Sequence, residues 1–281
     1  MLIRSWLYVP GTDAGKLEKA LARGADAVIA DLEDAVPATD KDTARALVRD
    51  WLDGLDPRQR GRVWVRVNSG ELRAADVAAL ADVPGLGGLC LAKTESADEV
   101  AEVDRVLSAA GSAAQVAPLL ETPGAVLDAL SIARAPRVRH LQIGEADLRA
   151  SLGVEPGPDG IELLHVRSQI VLVSAAAGIA RPVAPVSVVY NDPQALRAST
   201  AALRRLGFSG RACIHPAQIP VVNEVFTPTE EEVRRARKLL EQFEAAGSGA
   251  AAAGDGSMVD EAVARAARAV IATHEALTAR P

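Results

Sequence analysis

Carboxylates and cations recur just after short apolar runs in this chain. Asp31, Glu33 and Asp34 follow the second such run, Arg66 and Asn68 the third, Lys93 the fourth, Glu121 the fifth, Glu145 and Asp147 the sixth, and His215 the eighth. An isolated charge there is ordinarily a solvated loop residue, but both signs repeated over consecutive runs fit a site that uses charge. Glu121, in LLETPG, and Asp147, in IGEADL, come from neighbouring runs and together suit a hard cation. Mg²⁺ takes one or two protein carboxylates and fills its other octahedral positions with water and substrate oxygens. His140, His165, His215 and His274 are dispersed, which argues against Zn²⁺.

These residues share a site only if the apolar runs end on one rim. The runs read as strands at Ile3–Val9, Ala27–Asp31, Arg62–Val67, Gly88–Leu91, Gln115–Leu120, Val138–Ile143, Val183–Val189 and Arg211–Ile214. Helical periodicity separates them, as in Asp40–Leu52, where Ala44, Leu47, Val48, Trp51 and Leu52 share a face and Asp40 is the expected cap. Eight strands alternating with helices close most simply into a (β/α)8 barrel, with the site at the carboxy-terminal mouth. An open doubly wound sheet has the same local pattern. The barrel is expected over residues 1–245, with a helix from Thr229 opened by a Thr229–Glu232 capping box. A Gly/Ala-rich hinge (246–257) and a helical arm or lid (258–281) follow.

Composition narrows the function further. Of 281 residues, 49% are apolar and only 3% aromatic, so Ala, Val, Leu and Ile must fill the core, as suits helices around a parallel sheet. The net charge of −6, with Lys and Arg scattered, excludes a nucleic-acid face but leaves room for a small anionic ligand. No apolar run reaches membrane-spanning length, and the first residues are strand-like without a basic-then-apolar leader, so a cytoplasmic protein is expected. Cys90 and Cys213 lie in apolar runs and read as buried, reduced thiols. GTDAGK at Gly11 is one residue short of a phosphate loop and continues with Leu17, and no dinucleotide fingerprint follows any strand.

Taken in order, RSWLYVPG at Arg4, GADAVIADLEDAV at Gly24, VRVNS at Val65, KTES at Lys93, ETPGAV at Glu121, GEADL at Gly144, CIHPAQIPVVNEVF at Cys213 and GSMVD at Gly256 resemble the citrate lyase β-subunit family of the HpcH/HpaI aldolase superfamily. Malyl-CoA and citramalyl-CoA lyases belong to it, and the likeness runs nearly end to end. The resemblance implies a β/α barrel, Mg²⁺ held by Glu121 and Asp147, and cleavage or formation of a β-hydroxyacyl-CoA thioester, with coenzyme A as part of the substrate. It implies Arg66 as the catalytic cation, Glu33 and Asp34 as supports around the metal, and Asp260 as an acid/base carried by the arm. It also implies a homo-oligomer, a trimer or a multiple of one, whose arm closes over a neighbouring site. Gly144 is expected to let backbone amides approach the substrate carboxylate. Arg4 and Lys16 are the basic residues near the first strand offered for the phosphates of coenzyme A.

The chain departs from the family pattern at three places. The extra acid of GEADL, Glu145, stands one residue early; Ser187 occupies a position where Asp is common; and Ala262 replaces a Pro two residues after Asp260. Two rival readings are a class II pyruvate-type aldolase that uses no coenzyme A, and a non-catalytic or acyl-carrier-dependent lyase subunit. The choice among malyl, citramalyl, citryl and β-methylmalyl thioesters rests on pocket shape.

Overall fold

The computed structural model describes residues 2–157, 159–245, 251–252 and 258–279. Contacts divide the chain into two units, one spanning Ile3–Asn223 and the other holding Leu2 and the chain from Glu224 onward.

The first unit is a closed barrel of eight parallel strands in sequence order. They are β1 (Ser5–Pro10), β2 (Ala27–Asp31), β3 (Val63–Val67), β4 (Leu86–Leu91), β5 (Gln115–Leu120), β6 (Gln142–Ile143), β7 (Val183–Ala184) and β8 (Gly210–Cys213). Closure settles the choice left open by periodicity: β1 pairs with β2 on one side and with β8 on the other. The helices between them are α1 (Ala14–Ala20), α2 (Lys41–Asp53), α3 (Gly70–Leu80), α4 (Ala97–Ala109), α5 (Pro123–Leu127), α6 (Ala129–Ala133), α7 (Glu145–Leu152), α8 (Leu164–Ala177) and α9 (Pro193–Leu206), with α10 (Ile219–Phe226) after β8.

Strand alternation decides what faces the interior. Trp6, Ala27, Ile29, Trp64, Cys90, Ala117, Val183 and Ala212 form one buried cluster there. Gly88 makes room for Trp64, because a Cβ on Gly88 would lie 2.5 Å from the indole ring. The same alternation carries Tyr8, Asp31 and Arg66 one layer up, toward the mouth. Both cysteines are buried and free, and burial pushes each thiol up to about 12.

Three local expectations are corrected. β7 stops at Ala184 instead of running to Val189, because Pro185 has no N–H for the ladder and its carbonyl accepts from Arg211 Nε (3.0 Å). β6 is only two residues long; ahead of it the chain touches β5 through a single Val116–Val138 bridge, with Arg137 in a left-handed conformation (φ 61°). Asp40 occupies the N-cap position of α2 but does not cap it, since its carboxylate accepts from the Thr39 hydroxyl at the end of a short 3₁₀ turn.

In the second unit, α11 (Glu230–Ala245) opens with the expected capping box: Glu232 N–H donates to Thr229 Oγ1 (3.1 Å) and Thr229 N–H to Glu232 Oε2 (2.7 Å). It packs on α12 (Glu261–Thr278) through Phe243, Leu239 and Leu240 against Ala264 and Val263. Of the expected hinge, 246–250 and 253–257 lie outside the described residues, while β9 (Ala251–Ala252) pairs antiparallel with β10 (Met258–Val259). Among the described residues no helix is long and apolar enough to cross a membrane.

Candidate active site

At the carboxy-terminal mouth a cleft of about 440 Å³ is lined by Tyr8, Asp31, Arg66, Glu121, Gly144 and Asp147, among others. Arg66, from the inward face of β3, is its central cation. Its Nε and Nη2 donate to the two oxygens of Asp31 at 2.7 and 2.6 Å, and its Nη1 lies 2.9 Å from Glu33 Oε2 and 3.3 Å from Asp34 Oδ2. The Tyr8 ring lies beneath the guanidinium, with Cζ 5.2 Å from the ring centroid. Burial works against this charge, but the hydrogen bond and attraction of Asp31 outweigh it, and the pKa of Arg66 is raised.

Glu121 leaves the end of β5 almost fully buried, at 4% exposure. Its Oε2 accepts from the Lys93 backbone N–H at 2.7 Å. Gly144, which follows β6, lies so close that a Cβ there would sit 2.3 Å from Glu121 Oε1. Burial raises the Glu121 pKa to about 7, and the negative charges of Glu33 and Asp147 push the same way against the Lys93 amide and Arg66. Asp147, in the first turn of α7, is half-exposed at the rim, and Lys93 Nζ lies 3.9 Å from it and 2.5 Å from Glu33 Oε1. A buried carboxylate whose ionisation is opposed by neighbouring acids is relieved by a divalent cation, so Glu121 and Asp147 fit Mg²⁺ and leave its other positions to water and substrate. No cluster of three or more His, Cys, Asp or Glu ligands occurs among the described residues.

The structure therefore brings Glu33, Arg66, Glu121, Gly144 and Asp147 together. Glu33 spans Arg66 and Lys93 and holds both cations. Gly144 leaves space for Glu121, and its own N–H donates to the Leu120 carbonyl (2.9 Å). Glu145, the displaced acid of GEADL, turns away into a two-pronged pair with Arg167 at 2.6 and 2.8 Å. Ser187 donates to the Val189 carbonyl within its own loop.

Arg4 is not at this rim. It precedes β1, at the opposite end of the barrel, and pairs with Asp26 at 2.8 Å. Lys16 is in α1, on the mouth side, where a second cleft of about 440 Å³ gathers Lys16, Lys19 and Arg23 and shares Tyr8, Val9, Pro10 and Ile214 with the first. Asp260 caps α12 in the second unit, accepting from the N–H groups of Ala262 and Val263 at 2.9 and 3.0 Å. A proline at 262 would lack the first of these donors.

Asp31, Tyr8 and Lys93 complete the constellation without having been assigned roles from sequence. For Asp31 and Tyr8 the usable signal is strand alternation, which places them inward with Ile29 and Trp6. For Lys93 the signal is its place as the cation after the fourth run, which does not reveal that its backbone N–H reaches Glu121.

A closed eight-stranded β/α barrel with two carboxylates fit for a hard cation beside a buried guanidinium defines a metal-assisted barrel enzyme. Comparison with known proteins narrows that class. The family described as HpcH/HpaI aldolase/citrate lyase matches residues 4–216. A citrate lyase subunit beta-like protein of Deinococcus radiodurans is 36% identical, with 98% of each chain covered. A (3S)-malyl-CoA thioesterase of Cereibacter sphaeroides is 35% identical over 98% of this chain and 96% of its own. A crystal structure of CitE from Mycobacterium tuberculosis, in complex with magnesium, acetoacetate and coenzyme A, superposes with a TM-score of 0.80 at 33% identity and covers 97% of this chain and 98% of that one. This chain belongs to the HpcH/HpaI aldolase/citrate lyase family.

Proposed function

We propose that the chain is a Mg²⁺-dependent carbon–carbon lyase acting on a β-hydroxyacyl-CoA thioester of the malyl-, citramalyl- or citryl-CoA class. The observation that carries this reading is that Glu121, Asp147 and Arg66 line one cleft, with Gly144 leaving room for the Glu121 carboxylate. The magnesium, acetoacetate and coenzyme A bound by the related CitE support it.

In the cleavage direction a base in the cleft takes the proton of the substrate hydroxyl, the C–O bond becomes C=O and the carbon–carbon bond breaks. The electron pair passes into the thioester enolate, which is then protonated on carbon. Glu121 and Asp147 would hold Mg²⁺, which when bound would supply Lewis-acid polarisation of the acid fragment's oxygens. Arg66 presents fixed positive charge to oxygen atoms as their charge changes, and because Asp31 and Glu33 already orient it, no reorganisation is needed at the moment of reaction. Ala184, Pro185, Val186 and Ile214 give the cleft an apolar wall. Asp260 is proposed to deliver the enolate proton from the arm. Lys16, with Lys19 and Arg23, is proposed to receive the phosphates of coenzyme A, since their cleft shares Pro10 and Ile214 with the reaction cleft. A homotrimer or a multiple of one is proposed from the family resemblance, and exposed Leu127 on α5 with Leu164 and Leu172 on α8 offers apolar surface to a partner subunit. The reduced, buried thiols support a cytoplasmic location.

The test is release of acetyl-CoA or propionyl-CoA from malyl-, citramalyl-, citryl- and β-methylmalyl-CoA, with and without Mg²⁺. Metal-dependent release, lost in Asp147→Ala, is expected. The Cereibacter relative's name favours one second reading, thioester hydrolysis, which would yield free coenzyme A with the hydroxy acid intact. Activity only on an acyl-carrier thioester, or only on hydroxy-keto acids, would select the other two alternatives. Undiminished turnover by Asp260→Ala would remove the arm from the chemistry.

Metal uptake should depend on pH with a definite sign. The pKa of Glu121 stands at about 7, above its ordinary 4.5, so in the metal-free protein its contribution to stability is full below 4.5 and is lost as pH rises through 7. Mg²⁺ binding below pH 7 must displace that proton. Calorimetry at pH 6 in buffers of different ionisation enthalpy should show close to one proton released per Mg²⁺ bound, with apparent affinity weakening about tenfold per pH unit below 7. A pH-independent affinity between 5 and 7 would contradict this.

A further inference from the structure

Lys93 and Arg137 are the two non-glycine residues with positive φ among the described residues, and Lys93, at φ 49°, lies in the site. A side chain in that region is strained and persists only when its surroundings hold it there. Here they do so from both directions. Arg73, itself buried, donates from Nη2 to the Ala92 carbonyl at 2.7 Å and to the Lys93 carbonyl at 3.4 Å, while its Nη1 is fixed by Glu99 at 2.7 Å. On the other side, Lys93 Nζ is tied to Glu33 Oε1 at 2.5 Å, and Glu33 is itself held by Arg66. The turn so held points the Lys93 N–H at Glu121 Oε2, at 2.7 Å. Thr94 continues the clamp, donating from its N–H to the Leu119 carbonyl on β5 at 3.3 Å.

We infer that Lys93 is a positioning residue of the metal site, acting through its backbone. The left-handed turn fixes one oxygen of Glu121 so that the other faces the cation position, and the ammonium serves to hold the turn by its bond to Glu33. The inference rests on Glu121 being a metal ligand, but its geometric half stands apart from any metal.

Glycine and alanine at position 93 separate backbone from charge, since both remove the ammonium and only glycine adopts positive φ freely. In Lys93→Gly the turn should persist without its tether; in Lys93→Ala the strain remains and the tether is gone. By calorimetry on metal-free protein, Lys93→Gly should bind Mg²⁺ within about threefold of wild type and Lys93→Ala about tenfold more weakly. Amide hydrogen exchange at position 93, followed by NMR without metal, should stay slow in wild type and Lys93→Gly and accelerate in Lys93→Ala. Equal weakening of both variants would assign the effect to the charge and overturn the inference, as would wild-type affinity and slow exchange in Lys93→Ala. If wild-type protein bound no Mg²⁺, the metal assignment would fall while the exchange experiment still decided whether the turn positions Glu121.

Discussion

Arg66→Lys should lower kcat by about 10²–10³-fold with little change in KM and without unfolding the protein. Lysine keeps a positive charge but loses the planar fork with which Arg66 grips both oxygens of Asp31 and reaches Glu33. The charge would survive and its aim would not. Arg66→Met should do more damage, because it strands Asp31, 2% exposed, as a buried acid without its cation and leaves the buried Glu33 with Lys93 alone. Breaking one side of such a pair costs about 3–5 kcal/mol, so the methionine variant should also lose thermal stability. Comparing the two by steady-state kinetics and thermal unfolding separates transition-state stabilisation from structural support. A lysine variant with wild-type kcat would show that Arg66 merely balances its acids.

The barrel and most of its rim were legible in the chain because both follow from strand alternation. β/α spacing supplies the eight strands, and the last inward residue of a strand must face the mouth. That logic brings Arg66 and Glu121 to the mouth, whether or not the family is recognised, and Asp147 reaches it from the first turn of α7, just after β6. It works less well where single residues override the pattern. Pro185 ends β7 after two residues although the Val-rich run continues to Val189. Glu145 looks as eligible as Asp147, yet Arg167, twenty-two residues further on, draws it away, and no local feature announces that pair. Arg4 sits near the first strand in sequence but at its amino-terminal end, which in a barrel is the far side from the chemistry. Gly144 shows a different gap. Its importance is visible in GEADL, but its reason, space for the Glu121 carboxylate, depends on a neighbour twenty-three positions away. Both loops reach that point only after the barrel has closed.

Gly144→Ala should therefore weaken Mg²⁺ binding by about 10–100-fold, an effect of the size expected when a group supporting a ligand is disturbed. The backbone itself raises no objection to alanine, since Gly144 has φ −93° and ψ 84°. The conflict is with Glu121 alone: the new methyl would lie 2.3 Å from Oε1, 2.5 Å from Cγ and 2.8 Å from Cδ. Glu121 must swing aside, and in doing so it gives up the Lys93 amide that fixes its other oxygen. Forcing a methyl into so tight a site should also destabilise the metal-free protein by about 1–3 kcal/mol. A double-mutant cycle assigns the cause. In an Glu121→Ala background the clash has no partner, so adding Gly144→Ala should cost almost nothing in stability, and the coupling between the two substitutions should account for nearly the whole single-mutant effect. Additive losses would place the strain elsewhere in the β6–α7 turn, and the close fit of Gly144 to Glu121 would then be incidental to holding the metal.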